Sequence, residues 1–238
     1  MLRAVYHPWF ERLLAVAGPG ERVLEMGAGP GLLAAHARRH RPDLRWFGAD
    51  LIAGPWNDLA ADALRLPVRD GALDAILCLD LIHHLARPIE FLSEAARVLR
   101  PGGRLAAMEP WVTPLSFPIY RWLHQEGCRP GLDPRDPFGS RFGGGKPAFL
   151  GDAAIVWRLL RATPSAEWPR MGFGLPSVEL WNGFAYLSTL GFRRSSLLPR
   201  CGLRPLLWLD RWCRPAAGVL GLRALVVWKR LPPKGPAP

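Results

Sequence analysis

The run Arg22-Val23-Leu24-Glu25-Met26-Gly27-Ala28-Gly29-Pro30-Gly31 places a carboxylate, Glu25, ahead of three glycines at alternate positions. Glycine lets backbone approach a ligand with no Cβ in the way. The Ala- and Leu-rich segment Leu32 to His40 reads as a helix, and its first turn offers unpaired N–H groups and the positive end of a dipole. A nucleotide-like ligand suits such a turn. The dinucleotide fingerprint G-x-G-x-x-G does not apply, because its third glycine would fall where the chain has Leu32. A second carboxylate, Asp50, ends Arg45-Trp46-Phe47-Gly48-Ala49-Asp50; at a strand end it can accept both hydroxyls of a ribose. His83 and His84 follow an apolar run and Glu109 ends another. Imidazole and carboxylate are the natural groups to take a proton from an acceptor near neutral pH. His124 and Glu126 lie farther along and can enter from above.

Strands and turns must carry these residues. Arg22 to Met26 and Arg45 to Asp50 read as the first two strands, and Leu59 to Ala63 ends a short third. Ala75-Ile76-Leu77-Cys78-Leu79 is a continuous apolar run, as expected of a central strand buried on both faces. A helix is expected from Pro88 to Leu99 and a fifth strand from Arg104 to Glu109. Leu51 to Asp58, with Gly54-Pro55, is a poor helix. Ahead of all this, Val5, Trp9, Leu13, Leu14 and Val16 mark a leading helix within residues 1–20, which Pro8 predicts to start near His7.

The pattern Glu25-x-Gly27-x-Gly29-x-Gly31 resembles the first motif of the class I S-adenosylmethionine-dependent methyltransferases. Asp62-Ala63…Leu66-Pro67, His84 and Arg97-Val98-Leu99-Arg100-Pro101-Gly102-Gly103 follow in the order seen in the ubiquinone/menaquinone-biosynthesis-like (type 11) small-molecule branch. The resemblance covers residues 22–109. It implies an α/β, Rossmann-like doubly wound sheet of seven strands, the last antiparallel between the fifth and sixth, with S-adenosylmethionine as cofactor. It also implies cofactor-binding roles for Glu25, Gly27, Ala28, Gly29, Gly31, Asp50, Leu51, Asp62, Ala63 and Leu79. Glu25 would face the amino group, Asp62 the adenine amino group, and Ala63 the ring. His84 aligns with the family's histidine; His84, His83 and Glu109 are the candidate catalytic residues.

The second half departs from that pattern. Residues 112–176 form an expected substrate cap inserted after strand five, with Trp111, Phe117, Tyr120, Trp122, Phe138, Phe142 and Phe149 to order it and a helix from Asp152 to Arg161. Ser177 to Leu190 reads as a helix, and Phe192 to Leu198 and Leu222 to Trp228 as the last strands. Residues 199–221 interleave Leu and Trp with Arg200, Arg204, Arg211 and Arg214, the composition of a helix lying in a membrane interface. Pro205 and Pro215 are expected to limit it, and the Pro-rich tail 231–238 to be disordered.

Charge follows the same division. Residues 1–110 hold 13 basic and 13 acidic residues, whereas residues 111–238 hold 18 and 7 and carry the whole net charge of +11. A basic surface implies an anionic partner. No apolar run approaches the roughly 18 residues of a membrane span, and Glu11 and Arg12 interrupt any signal-peptide pattern; a cytoplasmic protein, peripheral on the inner face of the membrane, is expected. Cys78, Cys128, Cys201 and Cys213 lack the close spacing of a zinc site, and no metal is expected. Cys78-Leu79-Asp80-Leu81 does not match the segment expected of an exocyclic amine methyltransferase of nucleic acid, so nucleic acid is an unlikely partner. A small or lipid-like, isoprenoid or lipid-linked acceptor is the leading expectation. An RNA-modifying methyltransferase and a noncatalytic binding protein of the same fold are the alternatives; the intact Glu25, glycine turn, Asp50 and Asp62 oppose the last.

Overall fold

The computed structural model describes residues 2–139, 147, 149–188 and 202–233. Seven strands form one sheet in the order β3-β2-β1-β4-β5-β7-β6. They are β1 (Arg22–Met26), β2 (Arg45–Asp50), β3 (Leu59–Ala60), β4 (Leu73–Leu79), β5 (Leu99–Pro110), β6 (Ser177–Trp181) and β7 (Arg223–Lys229). β1 to β5 are parallel, and β7 runs antiparallel between β5 and β6, as the resemblance implies. The side-chain period of two divides the core. Ile76 and Cys78 of β4 and Leu24 and Met26 of β1 pack on one face, beneath α3 (Pro88–Val98) and α4 (Ile155–Ala162). Ala75, Leu77 and Val23 pack on the other, beneath α1 (Leu2–Leu14) and α2 (Leu32–His40).

Several elements differ from the expectations. α1 runs through Pro8 instead of starting at His7. Pro inside a helix costs about 3 kcal/mol, but Val5, Tyr6, Trp9, Phe10, Leu13 and Leu14 are all buried. Each such side chain returns about 1.5–3 kcal/mol, so packing decides. Ser177 to Trp181 is strand β6, not helix, and among the described residues of that segment only the short α5 (Phe184–Leu187) keeps the expected helical form, positions 189–190 lying outside the description. Val178 and Leu180 fit a strand period as well as a helical one, and pairing with β7, Val178 opposite Val226 and Leu180 opposite Ala224, fixes the choice. The expected strand Phe192–Leu198 falls outside the described residues. Pro205 lies in the first turn of α6 (Leu203–Trp212), where the missing N–H has no partner to lose. The tail beyond Pro233 also falls outside the description.

Residues after β5 form a third, smaller core of Tyr120, Cys128, Leu132, Phe138 and Ala153 to Ile155, joined by Leu222. The Tyr120 hydroxyl donates to the Leu222 carbonyl at 2.6 Å, and the Asp152 N–H donates to the His83 carbonyl at 3.0 Å. Asp152 precedes α4 and does not cap it directly: its Oδ1 accepts from the N–H groups of Ala154 and Arg129. The insertion is thereby tied to the loop that follows β4.

Candidate active site

At the carboxyl ends of β1, β2 and β4 lies a cavity of about 590 Å³. Of the ten predicted cofactor residues, Glu25, Gly27, Ala28, Gly29, Asp50, Leu51, Asp62, Ala63 and Leu79 line it; Gly31 does not, although Pro30 and Leu32 do. Gly27, Gly29 and Gly31 all have positive φ, at 78°, 48° and 68°, a conformation open to glycine at little cost. A Cβ on Gly27 would meet Leu81 at 3.0 Å, whereas one on Gly29 would meet nothing within 4 Å. Gly29 thus presents bare backbone to open space.

The carboxylates divide by their bonding. Asp50 accepts from the Gly29 N–H at 2.8 Å and the Ile52 N–H at 3.0 Å, which pins it beside the glycine turn. Asp62 accepts from the Leu64 N–H at 2.9 Å. Glu25 is 2% exposed, its Oε2 has no hydrogen-bond partner among the described residues, and burial pushes its pKa up to about 8. A buried carboxylate left this way costs free energy until a donor or cation meets it. The ammonium of a methionine moiety is such a cation, and with Asp50 placed for ribose hydroxyls the residues fit S-adenosylmethionine.

The loop after β4 makes the opposite wall. Asp80 is the one described non-glycine residue with positive φ, 57°. It is held by a short ion pair with Arg223 and by the Tyr6 hydroxyl at 3.5 Å. Arg223, 1% exposed, heads β7 and lies against the rings of Trp9 and Tyr186 at 4.8 and 5.7 Å; burial opposes its charge, but Asp80 keeps its pKa raised. Sequence reading missed Tyr6, Asp80, Arg223 and Tyr186. The available signals were an acid directly after the central strand and a single arginine heading the apolar run Ala224–Trp228.

Of the candidate catalytic residues, only His84 lines the cavity; His83 and Glu109 stand behind it. Glu109, fully buried at the end of β5, accepts from the Leu81 and Ile82 N–H groups at 3.0 and 2.7 Å and meets His83 Nδ1 at 2.5 Å. Glu126, from the insertion, approaches His83 Nε2 at 3.2 Å and His84 Nε2 at 3.5 Å. His124 Nδ1 stands 3.7 Å from the same carboxylate, and its Nε2 meets the Tyr186 hydroxyl at 3.2 Å. Burial alone would lower the His83 pKa, but Glu109 and Glu126 raise it to about 10. Burial would likewise raise Glu126, yet His83 brings it down to about 2. His84 is lowered by burial and by His83, so it stands as the neutral base of the group.

Comparison with known proteins bears on the family and the fold. Residues 24–107 match the family model described as a methyltransferase domain, type 11. A demethylmenaquinone methyltransferase of Beutenbergia cavernae is 34% identical over 119 residues, covering 40% of this chain and 45% of its own length. A tRNA (carboxymethyluridine(34)-5-O)-methyltransferase of Mus musculus is 36% identical over 148 residues, covering 57% of this chain and 22% of its own. The chain therefore spans less than half the length of either curated relative. A solved S-adenosylmethionine-dependent methyltransferase from Archaeoglobus fulgidus shares the fold over 96% of this chain and 94% of its own, with a TM-score of 0.57 at 17% identity. Residues 24–107 are a class I S-adenosylmethionine-dependent methyltransferase domain of type 11, with S-adenosylmethionine as its cofactor.

Proposed function

We propose that this protein transfers a methyl group from S-adenosylmethionine to a small, largely apolar acceptor of quinone or isoprenoid character, held beneath the cap formed by residues 112–176. The observation that carries the reading is Glu25, a buried carboxylate with an unpartnered oxygen beside a glycine turn, in a cavity otherwise lined mostly by apolar groups. Glu25 takes the ammonium, the turn from Gly27 to Gly31 runs beneath the methionine part, and Asp50 takes the ribose hydroxyls. Asp62 takes the adenine amino group, while Leu51, Ala63 and Leu79 flank the ring. The bound cofactor supplies an electrophilic methyl on a sulfonium. Transfer then depends on in-line alignment and exclusion of water, and His84, with His83 and Glu109 behind it, takes the acceptor's proton.

The apolar lining and the demethylmenaquinone methyltransferase among the relatives support this acceptor class. α6 exposes Trp208 and Trp212 beside Arg204 and Arg211, a surface suited to the headgroup level of an anionic membrane, where a lipid-like acceptor would be found. No described helix is long and apolar enough to cross a membrane. Calorimetry with S-adenosylmethionine tests the cofactor half of the proposal; absence of binding would overturn it. Comparing lipid and small-molecule extracts with and without the gene by mass spectrometry tests the acceptor, which should gain one CH2. An RNA acceptor is the second reading, favoured by the tRNA-modifying relative and the basic second half. It predicts product affinity that falls steeply with salt.

A further inference from the structure

The six histidines of the chain fall into two clusters of three. His7, His36 and His40 meet on the surface between α1 and α2, with Glu11. His83, His84 and His124 surround one carboxylate, Glu126, beside the cofactor cavity. The second cluster has the shape of a coordination sphere. A tetrahedral site with metal–ligand bonds of 2.0–2.1 Å separates its ligand atoms by about 3.4 Å. Glu126 Oε2 lies 3.2 Å from His83 Nε2 and 3.7 Å from His124 Nδ1, and its Oε1 lies 3.5 Å from His84 Nε2, so the carboxylate spans the cluster with both oxygens. The donor atoms of His83, His84 and Glu126 all stand within 4.8 Å of one another. The surface group His7, Glu11 and His36 meets the same spacing, but His7 and Glu11 are exposed and the Glu11 carboxylate is already hydrogen-bonded to His36 at 2.5 Å.

The surroundings orient His83 and His124, whereas His84 Nδ1 is buried with no hydrogen-bond partner among the described residues. Ligating histidines usually give their other ring nitrogen to a carboxylate or similar acceptor, which fixes the tautomer and the ring. His83 gives Nδ1 to Glu109, itself immobilised by backbone N–H groups, and His124 gives Nε2 to the Tyr186 hydroxyl. Gly151 lets the cap close on the pair, since a Cβ there would meet His84 Nδ1 at 2.8 Å. Two carboxylates, Glu109 and Glu126, are withdrawn from water around these imidazoles, a charge excess that a dication balances.

We propose that His83, His84 and Glu126 bind a first-row divalent cation of the zinc class, with His124, whose Nδ1 accepts the Glu126 N–H, holding that carboxylate in place. The ligand set, two imidazoles and one carboxylate, suits Zn²⁺ and its borderline neighbours better than Mg²⁺ or Ca²⁺. The ion takes the place of the proton between His83 Nε2 and Glu126. This site rests on the methyltransferase reading only in its purpose: through His84 it borders the methyl-donor cavity, and a bound ion would replace His84 as the activating group there, by lowering the pKa of an acceptor hydroxyl that reaches it.

The test is Zn²⁺ titration of metal-stripped protein by calorimetry, with Co²⁺ as a chromophoric substitute, in a His36→Ala background that disables the surface cluster. One ion per chain is expected. Glu126→Gln and His84→Ala should each weaken Zn²⁺ binding roughly 100-fold or more, and Glu109→Gln, which disturbs only the orienting carboxylate, by about 10–100-fold. Thermal melts and S-adenosylmethionine calorimetry on each variant establish that it is folded. Absence of stoichiometric Zn²⁺ binding in the His36→Ala protein, or binding unchanged by Glu126→Gln, overturns the site. Failure to bind S-adenosylmethionine would instead overturn the methyltransferase reading and leave the metal result standing.

Discussion

Residues 22–110 and residues 111–233 contribute to the same cavity in different ways. The first half supplies a floor from adjoining parallel strands: glycine turn, Asp50 and Asp62 each end or follow one, Asp50 and Asp62 each accept from the backbone N–H two residues on, and Asp50 also takes the Gly29 N–H at the end of the neighbouring strand. The described second half reaches the cavity through few groups: Phe149 lines it and Arg223 holds the lining Asp80 across 143 positions, while Tyr120 ties the insertion to Leu222 across 102. Local geometry is shared by many proteins that bind one cofactor. The fold match spans nearly the whole chain, whereas the family model ends at residue 107.

Cutting the link between the halves should have the largest effect. Arg223→Met removes a fully buried guanidinium from its ion pair with Asp80 while keeping most of the apolar contact with Trp9 and Tyr186. Breaking a buried pair costs about 3–5 kcal/mol, and the lower end applies because Asp80 retains 28% side-chain exposure to water. A fall in Tm on the order of 10 °C is expected for a chain of this size, measured by calorimetric or circular-dichroism melting. An unchanged Tm would mean that the second half does not depend on this pair.

Within the first half, Asp50→Ala should leave the fold nearly intact and weaken S-adenosylmethionine binding. Loss of hydrogen bonds to one carboxylate is worth about 1.5–3 kcal/mol, roughly a 10- to 100-fold rise in Kd, read by titration calorimetry. Wild-type affinity in this variant would remove Asp50 from the cofactor site and with it the claim that the floor is local.

How far each half could be read in advance follows the same division. The run Ala75–Leu79, the glycine turn and Asp50 declare themselves because strand, turn and ligand contact lie within a few residues. Ser177–Trp181 does not, because Val178, Leu180 and Trp181 fit either period and only the edge of β7, some 45 residues away in sequence, makes them a strand. The His83–Glu109 pair was accessible as two strand-end residues. Glu126 was visible only as an acid in an unfamiliar loop; its place between His83, His84 and His124 depends on how the cap core of Tyr120, Cys128 and Leu132 seats on the sheet. α1 teaches a related lesson, since Pro8 is a local signal that six buried side chains override.

A pH titration sharpens the comparison at the floor. The Glu25 pKa stands at about 8, above the ordinary carboxylate value of 4.5, so the folded protein holds a proton that the unfolded chain has lost. Between these values stability declines as pH rises, the reverse of the usual carboxylate behaviour. Pairing with an ammonium favours the ionised form, so S-adenosylmethionine binding below pH 8 should release a proton and tighten with pH. The limit is about tenfold, or 1.4 kcal/mol, per unit. Calorimetry at pH 7 in two buffers of different ionisation enthalpy reads that proton directly. Equal heats would mean that Glu25 is already ionised or does not meet the ligand.

The smallest effect on stability is expected where the second half faces outward. Trp208 and Trp212 are 59% and 66% exposed, with ring centroids 5.2 Å apart on α6. Replacing both by Ser removes little buried area, so stability should move by no more than about 0.5 kcal/mol, and S-adenosylmethionine affinity should not move at all. If this face meets a membrane, however, two interfacial rings are lost while Arg204 and Arg211 remain. Sedimentation with vesicles containing phosphatidylserine should then show reduced binding even at low salt, where the arginines still attract the anionic surface. Neutral phosphatidylcholine vesicles separate the two contributions: the wild type should bind them weakly through the rings and the double variant not at all. Equal binding by both proteins to both vesicle types would leave the exposed tryptophans without a membrane role, and the acceptor would then have to be sought among water-soluble molecules.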